Sequence, residues 1–327
     1  MNRRRELLLA VAASMLAARV SVAQQPARHR RIGVLQAGRS ANDWQVDAVR
    51  QRLRELGYVE GKNVVIDYLC AETNYGRLPE LAAELVARRP DVIVTAGGTP
   101  SALAAKNKTT SIPIVFGPVA DPVGQGIVPS LASPRGNVTG LSAQHPETAV
   151  KTLELLMEIV PSAKRIGILS NPTNSSLPAV IKDMQTAARK LNVEAFVVHA
   201  RDPVEFPDAF AGLARLRVNS LAIVADAMLI ANSGSLAAHA AKYRLPAIGG
   251  INIYPENGGL ISYGSDRVDS YRRVADLADK IIKGAKPADL PVEQPTKFEL
   301  LVNMKAAKAL GLVIPPTIMV RADRVIQ

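Results

Sequence analysis

The chain has 327 residues, 48% of them hydrophobic and 21% charged, so it is long enough for two packed domains. Aromatic residues make up only 4%, which argues against binding platforms built from many rings, and the single Cys70 excludes an internal disulfide or a cysteine-paired metal site. The formal net charge of +11 does not indicate a nucleic-acid partner, because basic and acidic residues alternate along predicted helix faces, as at 50–55.

The first residues have the pattern of a cleavable export signal. Three arginines at 3–5 precede an apolar run at 7–18, and Ser21 and Ala23 occupy the small positions before a cut. The run is short for a membrane anchor, and no cysteine follows it to carry a lipid. We expect removal of residues 1–23 by the general or the twin-arginine route, leaving a periplasmic chain of net charge +8. A buried N-terminal helix is the alternative.

From Arg31 onward, short apolar runs alternate with helical patterns, which is typical of βαβ units and a parallel sheet. The first unit is predicted to have strands at 31–36, 63–69, 91–96, 112–117 and 137–141, and helices at 44–56, 77–88, 100–107 and 122–131.

The alternation of apolar runs and helical patterns begins again after Leu141, which predicts a second unit of similar size. Its strands are predicted at 164–169, 193–199, 218–225, 246–249 and 259–263, and its helices at 146–160, 176–191, 203–216 and 233–243. The tail adds a helix at 267–283, a Pro-rich connector at 286–295, a strand at 297–302 and a helix at 303–311. The fold class is therefore α/β with two successive units.

Common enzyme signatures are missing from the sequence. It contains no GxGxxG after the first strand, no GxxxxGK[ST], no GxSxG and no HExxH. The histidines, His29, His145, His199 and His239, are scattered without metal-ligand spacing. We expect no catalytic residues, no metal and no cofactor.

Three junctions place a capping residue and then a proline directly after an apolar strand: Thr99-Pro100, Asp121-Pro122 and Asp202-Pro203. Helix starts of this kind lie at the carboxyl edge of a parallel sheet, where ligands bind. The set Gly97, Gly98, Thr99 and Ser101 could hold an anion on helix-start amides, or could be only a capped turn. Asp121 and Asp226 could each pair with an ammonium group or serve as caps.

Further polar or glycine-containing loops follow strands in both units. They contribute the candidate ligand contacts Gln36, Ser40, Ser170, Asn171, Asn174 and Gly250. Loops on corresponding edges of two units indicate a cleft between them that offers hydrogen-bond donors and acceptors without a nucleophile and base pair. The sequence therefore favours binding without turnover.

Several segments resemble the substrate-binding proteins of ABC transporters, in the tryptophan- and tyrosine-binding-like branch. They are GYVEGKN at 57–63, residues 91–105, DPVG at 121–124, GNVTGLS at 136–142, GGLISYG at 258–264 and KGAKPADLP at 283–291. The likeness covers nearly all of the chain after the export signal. Two segments depart from the family pattern, at Leu69-Cys70 and at 251–255.

The resemblance implies a type I periplasmic binding fold, with two Rossmann-like lobes joined by a three-strand hinge. Lobe 1 would comprise 30–141 and 265–292, and lobe 2 would comprise 142–264 and 293–327. A monomer would hold a small polar solute, with an amino acid or related carboxylate favoured, and pass it to an inner-membrane permease. By the same resemblance, the loop at 97–101 would bind a carboxylate, and Asp121 or Asp226 an amine.

Two other functions remain open at this point. An exported α/β enzyme could use Asp121 and Asp226 as paired carboxylates, provided that they lie within several ångströms of each other. A receptor for a membrane sensor would share the fold and the cleft.

Overall fold

The computed structural model describes residues 29–40, 43–143, 146–250 and 253–327; the predicted export signal lies outside them. Five parallel strands form the first sheet, in the order β2-β1-β3-β4-β5. They are β1 Arg30–Gln36, β2 Val64–Cys70, β3 Val92–Ala96, β4 Ile114–Val119 and β5 Val138–Ser142. All five residues of β3 are buried, as expected for a parallel strand covered on both faces.

Three helices connect these strands: α1 Trp44–Glu55, α2 Leu78–Ala87 and α3 Thr99–Lys106. The apolar stripe of α1 is buried through Val46, Val49 and Leu53. The chain leaves α1 through Gly57, whose φ of 92° is a conformation that glycine adopts without a Cβ clash. The predicted amphipathic helix and its glycine stop are confirmed.

The helix predicted at 122–131 is wrong. This segment consists of turns and bends; Asp121, directly before it, and Gly126, within it, have φ values of 48° and 65°. The Asp121 carboxylate accepts the Gly124 N–H at 2.8 Å, so the acid stabilises a local turn and not a helix start.

Seven strands form the second sheet, in the order β12-β11-β10-β9-β8-β6-β7. They are β6 Arg165–Ser170, β7 Glu194–His199, β8 Ser220–Ile223, β9 Ala247–Gly249, β10 Ile261–Ser265, β11 Phe298–Asn303 and β12 Arg324–Ile326. Only the β10–β11 pair is antiparallel among the described strands. Every predicted strand is confirmed with its ends shifted by at most two residues, whereas β12 was not predicted.

The helices that follow in the chain pack mainly on the second sheet, with one exception. They are α4 Pro146–Ile159, α5 Leu177–Lys190, α6 Phe206–Arg215, α7 Ala227–Ala231, α8 Ser233–Lys242, α9 Ile253–Glu256, α10 Arg267–Ile282, α11 Met304–Leu310 and α12 Pro316–Arg321. The exception is α10, which lies against α1 and the first sheet and buries Tyr271, Val274 and Leu277 in the core there.

The chain therefore crosses between the two sheets three times. It leaves the first sheet after β5, returns through α10 and enters the second sheet again at β11. A parallel bridge between Leu141 and Glu293 brings the first and third crossings together. The predicted α/β fold with two parallel-dominated lobes is confirmed, while the residue boundaries of the lobes stay a prediction. None of the described helices is both long and apolar enough to span a membrane.

Candidate functional site

A cavity of about 210 Å³ lies between the two sheets. The first lobe contributes the β3–α3 loop and the start of α1, and the second lobe contributes the turn after β8 and the end of β9. The walls are mainly apolar and aromatic, and their largest side chains are Trp44, Met184, Tyr263, Tyr271 and Phe298. The cavity thus lies at the carboxyl ends of parallel strands, the edge that sequence reasoning selected.

Six of the predicted site residues line this cavity: Gly97, Gly98, Thr99, Asn174, Asp226 and Gly250. A Cβ on Gly97 would lie 2.8 Å from the Ala37 Cβ, and the φ of Gly97 is 87°, so the close approach of two loops needs glycine. Thr99 is the first residue of α3, and Gly98 occupies the N-cap position. The predicted Thr99 cap is therefore wrong; its hydroxyl donates to the Ala120 carbonyl at 3.4 Å.

The other six predicted residues, Gln36, Ser40, Ser101, Asp121, Ser170 and Asn171, are not among those lining the cavity. The Gln36 amide donates to Asp43, and the Ser40 N–H donates to the same carboxylate. The Ser101 hydroxyl donates to the backbone carbonyls of Ala96 and Gly98, which precede α3. Ser170 is buried at the end of β6. Asn171 lies one side chain away from the cavity, because it donates to Asp226 at 3.1 Å.

Asp226 is buried, and five hydrogen bonds converge on its carboxylate. It caps α7 by accepting the Met228 and Leu229 N–H groups. The Asn171 and Asn174 amides donate to it at 3.1 and 2.9 Å. The Tyr75 hydroxyl donates the fifth bond, at 2.9 Å. A carboxylate has about four lone-pair sites, so the protein itself already occupies the acceptor capacity of this acid.

The bond from Tyr75 to Asp226 joins the two lobes. Tyr75 follows β2 in a short 3-10 helix of the first lobe, while Asp226 follows β8 in the second. Burial, and next the charge of Asp226, raise the pKa of Tyr75 well above its usual value, so the phenol remains a donor. Arg39 also donates to Asn232 across the cleft, and Ser175 donates to Gln125 at 2.8 Å. Hydrogen bonds between these three pairs of residues thus link the two lobes.

Among the cavity-wall residues that sequence reasoning missed are Trp44, Arg267 and Tyr271. The Trp44 and Tyr271 rings pack edge to face with centroids 5.4 Å apart, and the Arg267 guanidinium lies 5.0 Å from the Trp44 ring centroid. Burial raises the pKa of Tyr271 to about 12, and its hydroxyl accepts the Gly97 N–H at 3.2 Å. Trp44 and Arg267 each open a helix after a strand, so the sheet-edge rule that selected Thr99 could have selected them.

Clustered metal ligands are absent from the described part of the chain. No group of three or more His, Cys, Asp or Glu side chains there could hold a metal ion. His239, one of the scattered histidines, instead packs against the Phe206 and Phe210 rings of the second core.

Residues 32–326 match the family described as ABC transporter substrate binding protein. A tyrosine-binding protein of Clostridioides difficile (strain R20291) is 29% identical over 260 residues, covering 80% of this chain and 74% of that protein. An ABC domain from Streptococcus pneumonia in complex with L-Trp matches with a TM-score of 0.84 and 26% identity, over 91% of this chain and 100% of that one. A ligand-free, open substrate binding protein from Clostridium difficile, also at 26% identity and over 91% of this chain and 99% of that one, gives a TM-score of 0.65.

Two α/β lobes that enclose a cavity define the class of two-lobed solute-binding proteins with the type I periplasmic fold. The chain belongs to the ABC transporter substrate-binding protein family. The resemblance seen in the sequence is thereby confirmed. Proteins of this family capture small solutes and are not enzymes, which removes the alternative of an exported enzyme that uses Asp121 and Asp226.

Proposed function

We propose that this protein captures an amino acid with an apolar or aromatic side chain and delivers it to an ABC permease in the inner membrane. The observation that carries the proposal is the cavity itself: apolar and aromatic walls surround one buried acid, Asp226, and one base, Arg267. A solute with an apolar body and a zwitterionic end is complementary to such walls. The tyrosine-binding relative and the relative in complex with L-Trp support the same class of solute.

The proposal includes a hinged binding cycle. The two relatives that are each 26% identical and cover 91% of this chain differ in TM-score, 0.84 for the L-Trp complex against 0.65 for the ligand-free, open protein. Because identity and coverage are equal, the higher score favours a lobe arrangement like that of the L-Trp complex. A solute that touches both lobes would stabilise this arrangement by population shift.

Tryptophan fluorescence offers a direct test of solute capture, because Trp44 is the single tryptophan of the chain and lines the cavity. We expect L-phenylalanine, L-tyrosine or L-leucine to change the Trp44 emission with saturation, and glucose to leave it unchanged. Bound solute at 100 times its Kd should add about 2.7 kcal/mol to the free energy of unfolding. In Trp44→Phe, calorimetry should still detect the solute while the emission change disappears. Saturable binding of sugars alone would contradict the amino-acid proposal.

Export and delivery also belong to the proposal, with a periplasmic monomer as the working form. We expect N-terminal sequencing of the periplasmic protein to begin at Gln24, because Ser21 and Ala23 fit the small positions before the cut. An Ala23→Asp substitution should retain the full-length precursor, whereas Ala17→Ser, upstream of the cut, should not. Recovery of periplasmic protein that still begins at Met1 would refute the cleavage. Adjacent permease and ATPase genes would distinguish an importer from a sensor receptor.

A further inference from the structure

Arg267 occupies a fixed position in the cavity wall, where the chain passes from β10 into α10. Its Nη2 donates to the Glu256 Oε2 at 2.8 Å. The guanidinium also lies over the Trp44 ring at 5.0 Å, which is cation–π geometry. The Trp44 ring in turn packs edge to face with the Tyr271 ring. The guanidinium is therefore oriented before any solute arrives.

The second terminal nitrogen of Arg267, Nη1, lacks a hydrogen-bond partner among the described residues. Nη1 is buried and makes no hydrogen bond to any part of the protein that the structure describes. The guanidinium of an arginine stays charged in proteins, so its N–H groups remain donors that need acceptors. A buried donor on a charged group without an acceptor is strongly unfavourable. An acceptor supplied by the solute would remove the penalty.

Arg267 shares its carboxylate partner with a second arginine. Glu256, its carboxylate partner, also accepts from Arg324 at 2.8 Å, so two guanidinium groups share one negative charge. Asp226 is the other ionised side chain among the residues lining the cavity. Its oxygens accept from Tyr75, from two asparagines and from backbone amides, and not from Arg267. The Arg267 guanidinium is thus paired through Nη2 with a carboxylate that it shares, while the cavity-lining Asp226 gives Nη1 no acceptor.

We propose that Arg267 binds the carboxylate of the solute through Nη1. This inference rests on the proposed function and deepens it: the solute class is carboxylic acids with an apolar or aromatic body. The solute carboxylate is then bound by a side chain of α10, the helix through which the chain returns to the first lobe. The backbone amides at the helix start, 97–101, do not bind it. An amine without a carboxylate is rejected because it leaves the buried Nη1 donor of Arg267 without an acceptor.

Calorimetry on the protein without residues 1–23 tests the inference with four related probes: L-tryptophan, its methyl ester, tryptamine and indole-3-propionate. We expect the ester and tryptamine to bind about tenfold or more weakly than L-tryptophan, since a hydrogen bond to a charged group is lost. Indole-3-propionate should outbind tryptamine. Arg267→Met should weaken the binding of L-tryptophan by about tenfold or more. The variant should also bind indole-3-propionate and tryptamine with similar affinity. Arg267→Lys should keep part of this discrimination, because lysine retains the positive charge but lacks the planar pair of N–H donors of a guanidinium.

Arg324→Met is the matched control, because Arg324 shares the Glu256 carboxylate but is not among the residues lining the cavity. Its affinity for L-tryptophan should stay within about twofold of wild type. Thermal unfolding checks that each variant is folded, and if Arg267→Met does not fold, the four probes on the wild-type protein decide.

The outcomes separate the two claims. Unchanged L-tryptophan affinity in a folded Arg267→Met protein, or equal wild-type affinity for L-tryptophan and tryptamine, overturns the role of Arg267 and leaves amino-acid capture standing. Binding of indole-3-propionate without binding of L-tryptophan overturns the amino-acid proposal and supports the role of Arg267. A wild-type protein that binds none of the four probes, and none of L-phenylalanine, L-tyrosine and L-leucine, overturns both.

Discussion

Asp226→Ala is expected to lower the free energy of unfolding by about 3 kcal/mol, a large loss for one side chain. The substitution removes the cap of α7 and leaves the buried amides of Asn171 and Asn174 and the hydroxyl of Tyr75 without their acceptor. Each buried donor left unsatisfied costs about 1–3 kcal/mol before relaxation and water entry reduce the sum. Urea and thermal unfolding of the solute-free protein measure the loss.

The same variant should bind solute about tenfold or more weakly. Since five donors already occupy the Asp226 carboxylate, we expect the loss to come mainly from weaker lobe closure. L-tryptophan and indole-3-propionate should then lose affinity by similar factors. A loss confined to the amine-bearing probe would instead show that Asp226 pairs with the ammonium group.

Asp202→Ala is the matched control for Asp226→Ala. Asp202 is also an N-cap aspartate of the second lobe, but it is exposed and caps a short 3-10 helix through the Val204 N–H. Its removal should cost about 1 kcal/mol and leave affinity unchanged. Equal stability losses in the two variants would refute the central structural role of Asp226.

Tyr75→Phe should weaken solute binding by about tenfold while leaving each lobe folded. The hydroxyl makes the 2.9 Å bond to Asp226 across the cleft, and the phenylalanine ring keeps the packing of Tyr75 against both cores. Loss of one interlobe hydrogen bond to a charged group disfavours the closed form relative to the open form. The change should appear mainly as faster dissociation, measured by stopped-flow Trp44 fluorescence.

Small-angle scattering supplies the conformational measurement. Wild-type protein should become more compact with saturating solute, and Tyr75→Phe should need more solute to reach the same radius. Tyr58→Phe is the control, because it removes a 2.8 Å bond to Asp279 within the first lobe. An unchanged dissociation rate in Tyr75→Phe, or a scattering profile that solute does not alter in wild type, would argue against closure through this contact.

The alternating pattern of apolar strands and amphipathic helices was sufficient to predict the α/β fold, because burial imposes a period that is visible locally. The sheet-edge rule selected Gly97, Gly98, Thr99, Asn174, Asp226 and Gly250 for the same reason, since the carboxyl ends of parallel strands share one edge. Local reasoning failed at 122–131, where an Asp-Pro pair indicated a helix start. The positive φ of Asp121 turns the chain there instead, and nothing in the residue pattern distinguishes the two conformations.

The sequence by itself therefore determined the fold class, the family and the sheet edge at which the cavity lies. Only the tertiary structure decided which groups there are free to bind. Asp226 meets Tyr75, which lies 151 residues away, and that contact and four others occupy its carboxylate. Arg267 meets Trp44 and Glu256 and retains a buried donor without a partner. Hydrogen-bond capacity is used up by contacts between distant segments, so the chemistry available to a solute depends on the folded arrangement and not on residue type alone.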